Sequence, residues 1–294
     1  MNSVLPQLLL VTGATAWGLG WLPLHHFAGI GLEGMPLVLL VYGSLSVVAV
    51  PVLWGQRHAW LPQRNALLVI AVCGGGATAA LVTALASGDV VRVMLLFYLA
   101  PVWGALGGWL LLGERMTLPR VVALLLAMLG IALTLGISSE LIRPLSGSDW
   151  LALVAGLGFS LNNLATRAAA RVPLASKTLA SFVGSAVIAA LLCPLLGEYP
   201  PTLSLELSWQ IGLMALGWLL SMAAVQYGVS HIEAGRAAVL VVFELVAAVL
   251  SSAWFGEQAI GPNEWLGAAL VTFAALIASW PERPALTPIR SSSI

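Results

Sequence analysis

The sequence is poor in charge. Lys and Arg number 12, Asp and Glu also 12, and together they make up 8% of 294 residues, against about 25% in a soluble globular protein. So few charged side chains do not cover a water-facing surface. The net formal charge of zero also removes the electrostatic footprint of a nucleic-acid partner. Cysteine is scarce too. Cys73 and Cys193 both fall inside apolar runs, and two thiols do not build a four-cysteine zinc site, so they read as small buried side chains. The four histidines sit near the ends of apolar runs, whereas a membrane-embedded enzyme needs His, acids or metal ligands converging at one depth. His25-His26 has no acid or cysteine beside it and is a poor metal site. No Gly-x-x-x-x-Gly-Lys-Ser/Thr occurs, so nucleotide hydrolysis is not the expected energy source. No cofactor or metal is expected, and the chain does not read as an enzyme. The first apolar run follows no Lys or Arg. It therefore lacks the basic head of a signal peptide and is expected to remain as a first helix.

What the chain has in quantity is apolar length. Hydrophobic residues make up 60%, in stretches near the roughly 20 residues that cross a bilayer core. The expectation is an all-α membrane protein of ten transmembrane helices, at about 4–24, 35–55, 65–86, 90–112, 119–138, 149–170, 175–196, 209–230, 235–256 and 264–280. Pro62, Ser87-Gly88, Gly147, Pro173, Pro200-Pro201 and Gly261-Pro262 punctuate the connections. The stretch 281–294, rich in Pro and Ser, reads as a disordered cytoplasmic tail. With both termini cytoplasmic, ten of the twelve basic residues fall on one side, leaving only Arg92 and Arg143 on the other. That bias sets the expected orientation, in an inner membrane of bacterial type.

One stretch is written twice. Arg92 to Arg115, RVMLLFYLAPVWGALGGWLLLGER, is echoed from Arg236 to Gln258, RAAVLVVFELVAAVLSSAWFGEQ. Pro101 precedes Gly113 by the same interval as Glu244 precedes Gly256, and Asp89-x-x-Arg92 matches Glu233-x-x-Arg236. The offset spans five helices, an odd number, so the second copy enters the membrane from the opposite side. This gives two inverted five-helix repeats, 1–143 and 144–280, a recurrent plan of secondary transporters.

The pattern AL-x-SGDVVRVMLLFYLAPVWGALGGWLLLGER, with its weaker second copy, resembles the EamA family of the drug/metabolite transporter superfamily. The resemblance covers nearly the whole chain. It implies a ten-helix transporter fold with a central cavity and export of small metabolites. The second copy departs from the family pattern, because Glu244 stands where the first copy has Pro101.

Glu244 is the sharpest single residue, an acid expected near the bilayer midplane. A charge there is costly and characteristically faces an internal cavity on an ion or proton path; a protonated acid tied to a neighbouring helix is the structural alternative. Pro101 donates no N–H and clashes with the carbonyl of Phe97, predicting a kink or a freed carbonyl. Tyr98 and Trp103 lie beside it. Asn162 and Asn163, Gln226 and Tyr227 are candidates to read a polar substrate, and Asn is equally a helix–helix glue. Trp17 is placed to line an outer mouth. Asp89 with Arg92, and Glu233 with Arg236, are gate candidates or, more simply, capping ion pairs. Glu114 and Glu257 oppose the dipoles of the helices they close, so each needs a neighbour to stabilise it. Gly74-Gly75-Gly76 and Gly104, Gly107 and Gly108 allow close backbone approach.

The expected activity is secondary transport of small amphipathic metabolites such as amino acids, by alternating access. The expected partners are that substrate, membrane lipid and protons as coupling ion, in a monomer or homodimer. The alternatives are a channel-like facilitator and, behind it, a membrane-embedded enzyme.

Overall fold

The computed structural model describes residues 4–88, 90–136, 144–255 and 261–279. Among these the chain is all helical. The helices are α1 (Val4–Gly18), α2 (Trp21–Gly29), α3 (Gly34–Gly55), α4 (Arg57–Trp60), α5 (Arg64–Ser87), α6 (Val90–Phe97), α7 (Ala100–Leu112), α8 (Leu118–Leu135), α9 (Gly147–Ala168), α10 (Leu174–Leu196), α11 (Leu205–His231), α12 (Ala234–Val241), α13 (Phe243–Phe255) and α14 (Pro262–Ser279), with a 3-10 turn at Leu61–Gln63.

Local chemistry sets several ends. Ser146 and Asp149 exchange side-chain and backbone hydrogen bonds in a capping box that starts α9. The Ser204 hydroxyl accepts from the Leu207 N–H to start α11. Gly113 and Gly197 stop α7 and α10 in the left-handed region, at φ +67° and +71°.

Among the described residues, seven spans are long and apolar enough to cross a membrane: Gly34–Gly55, Arg57–Ser87, Arg92–Leu112, Leu118–Leu135, Leu174–Leu196, Leu205–His231 and Ala234–Ser251. The ten-span expectation included three further segments, represented by α1, α9 and α14. α1 has only 15 residues, and Trp265–Ala278 within α14 is a shorter apolar helix. α9 has the length, at 22 residues, but Asp149, Asn162, Asn163, Thr166 and Arg167 dilute its apolar character.

α9 has no need of a lipid-soluble surface all round, because α5, α6, α7 and α11 pack about it. Much of the chain's polarity is internal: Ser160, Asn162, Thr166, Lys177, Ser181 and Gln226 are buried, while Leu118, Leu195, Leu205 and Trp254 are exposed. That distribution is what a hydrocarbon solvent selects.

The remaining packing is α1 on α11 and α13, α3 on α10, α5 on α10 and α8 on α14. The α5–α10 crossing is closest at Gly75 and Gly184. A Cβ on Gly184 would lie 1.9 Å from the Ala71 carbonyl oxygen, and one on Gly75 would lie 2.6 Å from that of Gly184. Gly76, the last of the glycine triplet, faces open space.

Two apolar spans are interrupted. The first breaks between α6 and α7 at Tyr98-Leu99, with Pro101 in the first turn of α7. The second breaks between α12 and α13 at Val242. α6 and α12 both have 8 residues, α7 and α13 both 13, and α8 and α14 both 18.

Candidate functional site: a cleft between two interrupted helices

The two breaks face one another across a cleft. Phe97, Tyr98, Pro101 and Gly104 supply one wall, Phe159, Ser160, Asn163 and Leu164 of α9 a second, and Ala237, Ala238, Val241 and Glu244 a third. The site thus brings together four of the candidate substrate or coupling residues, Tyr98, Pro101, Asn163 and Glu244.

Glu244 occupies the first turn of α13, where the helix N-terminus is a favourable place for a carboxylate. The Tyr98 hydroxyl and the Glu244 carboxyl interact across the cleft. Behind Glu244, α1 approaches so closely that a Cβ on Gly18 would meet the Glu244 carbonyl oxygen at 2.2 Å. Pro101 interrupts the helical ladder as its chemistry requires. The Phe97 carbonyl, which has lost that partner, is turned towards α9: a Cβ on Gly156 would lie 2.6 Å from its oxygen. Ser160 ties the other side of the break by donating to the Ala100 carbonyl at 2.7 Å.

The cleft volume is only about 20 Å³, room for about one water molecule. Its floor is held by Glu114. That carboxylate accepts from the backbone N–H of Ala234 at 2.8 Å and of Gly235 at 3.3 Å, and Arg167 stands 3.8 Å from it. Here is the neighbour that a helix-closing acid requires: the start of α12, whose free N–H groups and dipole favour a negative charge. Arg167 also donates to the Ser230 carbonyl at 3.0 Å.

The other candidates lie elsewhere. Arg92 donates to Asp149 at 2.9 Å and to the Pro144 carbonyl at 3.4 Å, tying α6 to the start of α9 at the opposite end of the bundle. Its sequence neighbour Asp89 lies outside the described residues, as do Gly256 and Glu257. The expected pairing of Glu233 with Arg236 is not the arrangement seen. Glu233 is extended at the N-cap of α12, so its carboxylate reaches out to Arg120 of α8, while Arg236 donates to the Ala278 carbonyl at the end of α14, at 2.5 Å.

Trp17 lines a second pocket of about 480 Å³ between α1, α2 and α11, with His26, Trp209, Gln210, Trp218 and Ser221. Its ring lies 5.4 Å from that of Trp218. Tyr227 stacks on His231 at 4.2 Å. Asn162 and Gln226 are buried on helix faces next to the cleft. The Asn162 Oδ1 and both side-chain polar atoms of Gln226 lack hydrogen-bond partners.

Sequence reasoning missed Ser160 as a tie across the break and the contact of Glu114 with α12. The Glu114 contact joins segments 120 residues apart, and no local pattern announces it.

Residues 5–136 match the model of the EamA-like transporter family. Over that segment the chain is similar to the EamA-like transporter family. A curated relative from Archaeoglobus fulgidus, described as an uncharacterized transporter, is 27% identical over 247 residues, 83% of this chain and 84% of its own. A solved crystal structure superposes with a TM-score of 0.75 over 93% of this chain and 96% of that one, at 19% identity. The likeness to that structure is one of fold. At that coverage it takes in residues of both halves of the chain.

Proposed function

We propose that the whole chain is a secondary transporter that exports small amphipathic metabolites by alternating access, built from two inverted five-helix repeats of an EamA-like unit. The observation that carries this reading is the meeting of two interrupted apolar helices around Tyr98, Pro101, Asn163 and Glu244. Interrupted helices near the bilayer midplane are where secondary transporters hold substrate and coupling ion. The matched lengths of α6 and α12, α7 and α13, and α8 and α14 support the repeat. So does the reciprocal packing of α5 on α9 and of α11 on α1.

Ten spans with both termini cytoplasmic put Glu114, Arg120, Arg167 and Glu233 at the cytoplasmic end and Arg92–Asp149 at the outer end. In that orientation the cytoplasmic half of the path is closed, with its cleft shrunk to about 20 Å³, and the Trp17 pocket lies in the outer half. Glu244 is the coupling residue. In a two-state carrier its carboxyl sees different surroundings in the two states, so its proton affinity differs between them and links transport to pH. A channel-like facilitator requires a continuous pore lined by carbonyls or charges, and one acid in a closed cleft does not favour it.

The test is flux in proteoliposomes across a pH series, with metabolites first selected by a toxicity-relief screen. Saturable flux with counterflow is expected, and Glu244→Gln should keep the protein folded while flattening the pH profile. Wild-type rates with an unchanged profile in Glu244→Gln would reduce the residue to a structural acid.

A further inference from the structure

Lys177 reads in the sequence as one more basic residue flanking a connection. In the structure it is buried, at 2% exposure. Its ammonium donates to the Ser230 hydroxyl at 2.6 Å and to the Thr166 carbonyl at 3.3 Å. An ammonium has three donors, and no carboxylate stands within ion-pair distance of it among the described residues. The cation nearby, Arg167, already has Glu114 as its acid. One buried positive charge is therefore left without a counter-charge, an arrangement that is costly in a low-dielectric interior.

Around this charge lie polar groups that are also unspent. Gln226 precedes Ser230 by one turn of α11 and is 1% exposed, with neither side-chain polar atom hydrogen-bonded. Thr166 follows Asn162 by one turn of α9. The Thr166 hydroxyl and the Asn162 Oδ1 are buried without partners. An orphaned buried polar group costs about 1–3 kcal/mol, and four such atoms lie on the turns of α9 and α11 that carry the Thr166 carbonyl and the Ser230 hydroxyl bound by the Lys177 ammonium. Helix packing by itself would be better served by apolar residues at these positions.

We propose that Lys177, Gln226, Thr166 and Asn162 form a binding site for the carboxylate of a small monoanionic metabolite. The charge count favours a monoanion, since a single ammonium lacks a counter-charge. The free third donor of Lys177, the Gln226 amide and the Thr166 hydroxyl supply hydrogen bonds to a carboxylate. Asn162 meets a hydroxyl group next to it. The site neighbours the cleft rather than coinciding with it, because Asn163 and Val229, adjacent along the same helices, line the cleft. This inference rests on the transporter reading and names the substrate class: the carboxylate is read at Lys177, and the apolar remainder lies against the cleft.

The experiment uses the purified full chain in detergent, with acetate, benzoate, lactate and mandelate each set against its neutral amide. Binding is followed by tryptophan fluorescence and by the shift in unfolding temperature. At least one acid is expected to bind about tenfold or more tightly than its amide, as for a charged hydrogen bond. Lys177→Gln should abolish that preference and Lys177→Arg should keep part of it. Gln226→Met fills the same volume and removes two orphaned atoms, so it should raise the unfolding temperature while weakening acid binding.

Absence of acid binding, equal binding of acids and amides, or a preference that survives Lys177→Gln would overturn the proposal. So would Gln226→Met that stabilises the fold and leaves acid binding untouched. Counterflow of acids and amides alike would retain the transporter and remove the site. Acid-selective binding that depends on Lys177, without any counterflow, would do the reverse.

Discussion

The contact of Glu114 with α12 offers a quantitative test of the proposed closure on the cytoplasmic side. Glu114→Ala removes the acceptor for two backbone N–H groups, those of Ala234 and Gly235. Each group left buried without a partner costs about 1–3 kcal/mol. The Glu114 side chain is 10% exposed, so water reaches part of the gap, and a total of about 2 kcal/mol is the reasonable figure. The ion pair with Arg167, at 3.8 Å and with Arg167 29% exposed, adds little. If the contact exists only when the cytoplasmic side is closed, its loss moves the equilibrium towards the open state by about thirtyfold.

The assay is labelling of Asn163→Cys by a membrane-impermeant maleimide in inside-out vesicles, with Cys73 and Cys193 replaced by Ala. Labelling should accelerate strongly in Glu114→Ala and less in Glu114→Gln, whose amide oxygen still accepts one bond. Equal labelling rates in all three backgrounds would show that the contact is the same in both states, and the argument for a cytoplasmic gate would fail.

Other outcomes follow from particular contacts. Arg92→Gln and Asp149→Asn should slow flux to the same degree, and the double variant should do no worse than either, since both break one tie; additive defects would separate the two residues. Gly184→Val should lower the unfolding temperature sharply, because overpacking costs about 1–3 kcal/mol or more and the Cβ position is 1.9 Å from a backbone oxygen. Gly76→Ala, facing open space, should be neutral or stabilising in the same thermal scan. A C-terminal alkaline phosphatase fusion should be inactive, as the ten-to-two bias of basic residues requires; activity would invert the topology.

The sequence by itself determined that this is a helical membrane protein with a doubled segment. Both facts are carried by local quantities: apolar run length, scarcity of charge, and the spacing of Pro101, Gly113, Glu244 and Gly256. The break at Pro101 was legible too, because a missing N–H and a ring clash are properties of one residue and its own helix. Partners across the bundle were decided by the tertiary structure. Glu233 meets Arg120 rather than Arg236, and Glu114 finds the start of α12. Lys177 is buried against Ser230 rather than left in solvent. In each case the sequence supplied a charge that needed a neighbour. Which neighbour answered it depended on how helices far apart in the chain cross, and helix crossing is set by close packing at positions such as Gly75 and Gly184, not by the charges themselves.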